Sequence, residues 1–387
     1  MSGAERIAIL GSTLTSLALL RAARSIKLPS AIIDTNCGIA WSSRLPSKYL
    51  LTNDDASILR ALLELASRVP TALIADSDHW LRFIARNRAV LAREFVDILH
   101  PANDCFDICL NKTSFLAWCA AQGLAAPRWY QPDDAQACKA CFPLMIRPRE
   151  TRHNIADDIP KAIVVNSIDE LEHWLARYQR SGVSPDICES LLSPTVRAYS
   201  VGAARNRAGE LLTMVAQKVR TPPAFCSGGT YVELSPQPAV EALARSALER
   251  LDYYGIAEVE IMFEPTTGRA SLIEVNARPW VQYALAERSG HRFLSFLLEG
   301  RPASACTPVD GTQASGAWLN FSDDLLVCFS KDCGLLREGN LSVGEYLRSA
   351  WKANAYALWS ANDPQPFLSS TARVLARTFG LRGRAAS

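Results

Sequence analysis

Glu260, Glu274 and Asn276 have types and spacing that suit metal chemistry. They lie in two neighbouring segments, "IAEVEIMFE" and "ASLIEVNARPW". Both segments alternate polar and apolar residues as half-buried strands do, and Pro265–Gly268 between them reads as a hairpin turn. Alternation puts Glu258, Glu260 and Met262 on one face of the first strand. It puts Leu272, Glu274 and Asn276 on one face of the second, with Ile273 and Val275 on the other. Counting back from the turn sets Glu260 opposite or nearly opposite Glu274. Like charges across a ladder repel, and two close carboxyls force one of them to keep a proton. A divalent cation removes both costs. Two carboxylates and an amide oxygen suit Mg²⁺, a hard cation that prefers oxygen, whereas zinc prefers His or Cys and none is close in sequence. The plainer alternative is an acidic strand pair neutralised by Arg269, Arg278 or another base.

Cations recur at related spacings. Arg278 follows Asn276 by two residues, on the same face if the strand continues. In "TMVAQKVR", alternation puts Lys218 and Arg220 on one face with Met214 and Ala216. Arg147 ends the apolar strand "PLMI", and Lys112 opens a helix whose positive dipole end assists an anion. Each alone is most simply a solvated base. Beside the acidic hairpin, they point jointly to a large anion such as a polyphosphate.

The elements that must position these residues follow from hydrophobic periodicity. "RIAILGSTLTSLALLRAARSIKLPSAIIDT" reads as strand, tight turn, helix and strand, a βαβ unit whose parallel strands imply a sheet covered on both faces. Its turn lacks the G-x-G-x-x-G fingerprint, which argues against a nicotinamide-dependent oxidoreductase. Helices are expected near 55–68 and 78–95, with a strand at 71–76, closing a first domain at residue 110. A helix from Lys112 to about Gln122 stops at Gly123, and an amphipathic helix starts at Ser167. Further strands are expected at "DICESLL", "VRAYSVGAA" and "LLTMVAQKVR", then a helix at about 237–254 before the hairpin. The expected division is 1–110, 111–186, 187–305 and 306–387. The last segment ends in the basic amphipathic "FLSSTARVLARTFGLRGRAAS", for which docking on its own body is favoured over a membrane surface.

Composition bounds the rest. A chain of 387 residues exceeds one small core, and 49% hydrophobic with 21% charged residues is ordinary for a globular protein. A net charge of +2 leaves no electrostatic footprint for nucleic acid. No apolar run reaches the roughly 18–20 residues of a membrane span, so no integral membrane segment is expected. "MSGAERIAIL" does not read as a signal peptide, and 11 cysteines without framework spacing fit reduced thiols in the cytoplasm. Cys138 and Cys141 form a lone C-x-x-C, which packing explains better than zinc.

In this order, the segments resemble the ATP-grasp superfamily over residues 5–305. "NKTSFLAWCAAQGLAAP" resembles its Lys-bearing helix and step into the lid, "FPLMIRP" its lid strand, and "DICESLL" its adenine-holding hinge. "EVNARPW" after "EVEIMFE" resembles its metal-binding sequence and is the most specific element. The resemblance implies an α/β protein of ATP-grasp fold, with a Rossmann-like pre-ATP-grasp domain, an α+β lid, a central domain and a C-terminal extension. The nearest likeness is to carboxylate–amine ligases, whose ADP-forming reaction proceeds through an acyl phosphate. By that resemblance Glu260, Glu274 and Asn276 hold Mg²⁺, while Lys112, Arg147 and Lys218 contact the triphosphate of ATP. Glu189, Leu191 and Leu192 line the adenine pocket. Arg278 serves the transferred phosphoryl group, and Arg220 the same anion or a substrate carboxylate. Small-molecule carboxylates and amines are the implied partners, and a homodimer is compatible.

Three departures stand out. The lid strand carries Arg147 where Lys is usual, and the following loop at 149–162 has no glycine, so Arg149, Arg152 or His153 would have to replace backbone contacts. No acid for the ribose is evident in "SPTVRAYS". They leave two rivals beside the amide-forming ligase: a carboxylase or ligase with another acceptor, and a nucleotide-binding regulatory protein with a decayed site.

Overall fold

The computed structural model describes residues 3–130, 142–149, 159–160, 162–221, 228–308, 316–329, 335 and 341–378. Cys138, Cys141, Arg152 and His153 lie outside the described residues, as does most of the glycine-free loop.

The chain opens with β1 (Arg6–Leu10), α1 (Leu14–Ser25), β2 (Ser30–Asp34), β3 (Ser47–Leu50), α2 (Asp55–Arg68), β4 (Thr71–Ala75), α3 (Asp78–Glu94) and β5 (Asp97–Ile98). The strands form one parallel sheet in the order β3-β2-β1-β4-β5. β1 is apolar on both faces because both are covered. Ile7 and Ile9 pack with Leu17 and Leu20 of α1, and Ala8 and Leu10 with Ile58, Leu62 and Trp80 of α2 and α3.

The turn into α1 is filled by a carboxyl of the chain itself. Gly11 has φ +107°, and a Cβ there would fall 2.0 Å from Asp76 Oδ1. Asp76 Oδ2 accepts hydrogen bonds from the Thr13 amide at 3.0 Å and the Ser16 hydroxyl at 2.7 Å. Burial pushes the Asp76 carboxyl up, against those hydrogen bonds. The positive end of α1 is thus satisfied internally.

After α4 (Asn103–Leu110) and α5 (Lys112–Ala121), a small lid forms from β6 (Trp129–Tyr130), β7 (Leu144–Pro148), β8 (Ile163–Val165), α6 (Ile168–Arg180) and β9 (Pro185–Glu189). Its sheet runs β6-β9-β7-β8. Leu171, Trp174, Leu175 and Tyr178 recur at helical spacing and face this sheet, giving the lid a core of its own.

The central sheet orders β14-β13-β10-β11-β12-β15-β16. Its strands are β10 (Arg197–Arg205), β11 (Leu211–Arg220), β12 (Tyr231–Leu234), β13 (Gly255–Glu264), β14 (Arg269–Asn276), β15 (Ala317–Leu319) and β16 (Ala353–Tyr356), with α7 (Pro238–Arg250) between β12 and β13. α8 (Tyr283–Ser289) and α9 (Phe293–Leu298) follow β14. α10 (Phe321–Phe329) and α11 (Val343–Lys352) separate the last two strands, and α12 (Gln365–Thr378) follows them. The segment after residue 305 therefore contributes two strands to the central sheet. α12 lies against residues 39–42 of the first domain. No described helix is long and apolar enough to cross a membrane.

Gly202 in β10 marks where Trp280 of the "ARPW" motif packs on the sheet. A Cβ at Gly202 would lie 2.1 Å from Trp280 Cη2, and Trp280 is buried. Gly202→Ala is expected to destabilise the protein by about 1–3 kcal/mol through overpacking, read as a lower urea midpoint.

Two bulges correct the alternation expected from sequence. In β14, Glu260 pairs with Glu274 but Ile261 with Leu272, leaving Ile273 as an extra residue. Leu272 therefore shares a face with Ile261 in the core instead of with Glu274. In β11, Lys218 pairs with Val232 but Arg220 with Tyr231, so Val219 is the extra residue. Arg220 is turned to the face opposite Lys218. One inserted residue reverses everything beyond it.

Candidate active site

The hairpin β13–β14 brings the acidic residues together, with Glu260 directly opposite Glu274 and Glu258 opposite Asn276. The Asn276 amide nitrogen lies 3.1 Å from Glu258 Oε2, 3.5 Å from Glu260 Oε1 and 3.3 Å from Glu274 Oε1. Lys218 crosses from β11 to reach Glu260 Oε1 at 2.8 Å and Glu258 Oε1 at 3.5 Å. Ser200 of β10, between those strands, donates its hydroxyl to Glu258 Oε1 at 2.5 Å. Lys112, the first residue of α5, places Nζ 3.8 Å from Glu274 Oε2.

Charge explains how the cluster is tolerated. Burial alone would raise the Glu274 pKa, but Lys112, Arg147, Lys218 and Arg278 outweigh it and hold the carboxyl below its usual range. Glu260 goes the other way. Burial and the neighbouring Glu258 and Glu274 carboxylates push it up to about 7 against the pull of Lys218. Burial works against the charge of Lys218, yet Glu258 and Glu260 raise its pKa overall. One carboxylate of the facing pair is thus held ionised and the other is poised to take a proton.

Arg147 lies in β7 opposite Asp186, and among the described residues its buried Nε has no hydrogen-bond partner. Arg149 pairs with Asp186 Oδ1 at 3.3 Å, an atom that also accepts from Thr113 at 2.5 Å. Arg278 lies beyond the end of β14, and its Nε meets Asp78 Oδ1 at 2.8 Å, at the start of α3. Glu189, the last residue of β9, accepts from the Arg128 amide at 3.2 Å and pairs with Arg269 at 3.2 Å. Leu191 and Leu192 follow it, half-buried. Arg269, one of the bases offered as a partner for the acidic pair, is thus engaged with Glu189.

Arg220 is the correction. On the face opposite Lys218, it makes paired hydrogen bonds to Asp324 at 2.8 and 2.7 Å and a third to Ser349 at 2.7 Å. Its guanidinium also stacks 4.0 Å from the Tyr231 ring. Thr230 donates to the same Asp324 at 2.8 Å. The residue joins the sheet to the C-terminal extension and is spent on that contact.

Sequence reasoning left Glu258, Ser200, Asp78 and His100 out of the site. Glu258 carried a signal, since it shares the alternating face of Glu260. Asp78 lies 200 residues from Arg278, and no local pattern links them. His100 is buried and bonded through both ring nitrogens to backbone.

The donor chemistry fits a hard cation. Glu260, Glu274 and Asn276 offer only oxygen once the Asn276 amide turns its oxygen inward. Among the described residues no three acidic, His or Cys side chains form a metal site by themselves, so phosphate or water oxygens would have to complete the shell. The Arg147 Nε, without a partner among the described residues, fits the anion that would supply them.

Burial pushes His100 down to about 3 and His291 down to about 4. Both are neutral in the fold and titrate near 6.5 in the unfolded chain. Below that pH the unfolded chain binds more protons, so their stabilising contribution is full above 6.5 and fades as the pH falls toward 3–4. A neutral buried histidine is expected to cost about 2 kcal/mol between pH 7 and 5, read from urea titrations. His291→Gln should lose less stability over that interval than the wild type.

No family model and no curated protein matches the sequence. Solved structures do match. N5-carboxyaminoimidazole ribonucleotide synthetase of Thermus thermophilus aligns at 18% identity with TM-score 0.61, covering 80% of this chain and 82% of that one. Biotin carboxylase of Campylobacter jejuni, in a β-γ-ATP complex, aligns at 13% identity with TM-score 0.61, over 82% and 75% of the two chains. The biotin carboxylase domain dimer of Hydrogenobacter thermophilus 2-oxoglutarate carboxylase, holding MgADP and bicarbonate, aligns at 11% identity with TM-score 0.58, over 77% and 70%. At such identities the likeness is one of fold. With its parallel N-terminal sheet, four-stranded lid and antiparallel-rich central sheet, the chain has the ATP-grasp fold.

Proposed function

We propose that the chain is an ATP-dependent ligase that activates a carboxylate as an acyl phosphate and transfers the acyl group to an amine, releasing ADP and phosphate. The observation that carries this reading is the convergence of Lys112, Arg147, Lys218 and Arg278, from four separate elements, on the charge of Glu274. Such a set of cations is costly to gather unless an anion accompanies it. Glu260, Glu274 and Asn276 would hold Mg²⁺, which neutralises charge on the β- and γ-phosphates when bound. Lys112 and Arg147 would clamp the triphosphate from the lid side, with Lys218 fixed between Glu258 and Glu260 on the sheet side. Glu189, Leu191 and Leu192, where β9 leaves the lid, would line the adenine pocket.

Arg278, oriented by Asp78, would stand at the transferred phosphoryl group and oppose the charge developing there. The carboxylate oxygen attacks the γ-phosphorus, and the bond to the ADP oxygen breaks. The amine then attacks the acyl carbon, the C–O bond to phosphate breaks, and the departing phosphate carries off the proton the nitrogen sheds. Positioning and charge supply most of the catalysis, so no Ser–His–Asp or Cys–His arrangement is required.

A second reading takes bicarbonate as the acid, giving a carboxylase. The Hydrogenobacter neighbour was solved with that anion and MgADP, which favours including it. A cytoplasmic location and a homodimer belong to the proposal; that neighbour was solved as a dimer. The test is an ADP-release screen against pooled carboxylic acids, amines and bicarbonate, with products identified by mass spectrometry. Acid-dependent ADP release with an amide product is expected. Thermal stabilisation by Mg-ATP without ADP release in any pool would favour a nucleotide-binding regulatory protein instead.

A further inference from the structure

We propose that His100 is a positioning residue for the metal- and phosphoryl-binding residues Asn276 and Arg278, tying the backbone between them to the first domain. The inference rests on the ligase reading of that site. Its basis is a pair of hydrogen bonds with a fixed direction. The Ala75 amide donates to His100 Nε2 at 2.7 Å, so that nitrogen is the acceptor. The proton is therefore on Nδ1, which donates to the Ala277 carbonyl at 2.9 Å. Ala75 ends β4, and Ala277 immediately follows β14. One imidazole thus joins the end of a first-domain strand to the turn that carries both site residues.

The surroundings hold this joint still. Gly255, where β13 begins, has φ +101°, and a Cβ there would lie 2.3 Å from the Leu99 carbonyl oxygen. The Leu99–His100 backbone therefore presses on the hairpin at the start of β13 while the imidazole holds the end of β14. Arg88 of α3 donates to the carbonyls of Pro101 at 2.6 Å and His100 at 2.9 Å, anchoring the loop from behind. The turn is tight, because the Arg278 amide donates to the Asn276 carbonyl at 2.8 Å. Fixing the Ala277 carbonyl fixes the peptide plane from which Arg278 departs. Asp78, also from the first domain, receives the Arg278 guanidinium at the far end. The first domain therefore grips Arg278 at both backbone and side chain.

His100→Asn and His100→Gln separate this role from packing. The Asn amide nitrogen stands near Nδ1 and keeps the bond to Ala277, whereas the longer Gln amide stands near Nε2 and keeps the bond to Ala75. Each loses one buried hydrogen bond, so similar falls in melting temperature are expected. Mg-ADP affinity, measured by calorimetry, should be close to wild type in His100→Asn and weaker by roughly 10-fold in His100→Gln, the usual effect of losing an outer partner of a metal site. Equal affinities in the two variants, or losses that track melting temperature alone, would overturn the positioning role while leaving the ligase reading intact. A wild type that binds no Mg-ADP would instead overturn the ligase reading and, with it, the inference.

Discussion

Glu274→Gln should lower ADP release by about 10³-fold while the protein melts within a few degrees of wild type. The activity loss follows from removing an anion on which four cations converge and which would be a ligand of the metal; contributions of several kcal/mol correspond to about that factor. The small stability change follows from the partners that remain. Lys218 keeps Glu258 and Glu260, and Arg278 keeps Asp78. Among the described residues only Lys112 loses an ion pair, and at 29% side-chain exposure it can meet water. Glu260 supplies a second readout. Its carboxyl, pushed up to about 7 partly by Glu274, should titrate lower in the variant. Wild-type turnover in Glu274→Gln would remove the metal assignment, and loss of the fold would make the carboxylate structural. Both are measured on the same preparation, by coupled ADP assay and by thermal melt.

Asp324→Ala should cost about 3–5 kcal/mol in stability, because it leaves the Arg220 guanidinium buried without its counter-charge. Asp324 also accepts from Thr230 at 2.8 Å, which would be left with the longer contact to the Arg220 carbonyl at 3.4 Å. The double substitution Arg220→Met with Asp324→Leu should recover most of that loss, since well-packed apolar pairs often replace buried ion pairs without penalty. Urea titrations of the variants measure both effects. The double variant also tests the placement of Arg220. If its contact to the C-terminal extension is its whole role, turnover per folded molecule stays near wild type. A fall beyond about 100-fold, which is more than 2.7 kcal/mol of barrier, would return Arg220 to the reacting anion.

What the sequence made legible was governed by period. Glu260 facing Glu274, Lys112 opening a helix and Arg147 on a lid strand all follow from local patterns and a short turn, and the structure brings all four toward one place. What it hid was governed by single extra residues. Ile273 and Val219 each break the alternation of an otherwise ordinary strand, and neither differs in type from its neighbours. A bulge is decided by pairing with the next strand, which a single strand's pattern does not contain. For that reason Lys218 lies on the face that alternation gives it, beside Glu258 and Glu260, and Arg220, two residues on, lies on the other. The contacts across domains were hidden for a different reason. Asp78 with Arg278, and His100 with Ala277, join residues 200 and 177 positions apart, and only the folded topology brings such pairs together.

The carboxyl lodged beneath the first glycine turn has a consequence for where a phosphate could be seated. A phosphate approaching that turn would meet a resident carboxyl already using the amide and hydroxyl it needs, with the glycine closed against it. On the ligase reading the opening βαβ unit would serve as scaffold, and a lesion in the acidic hairpin would find no second phosphate berth at that turn.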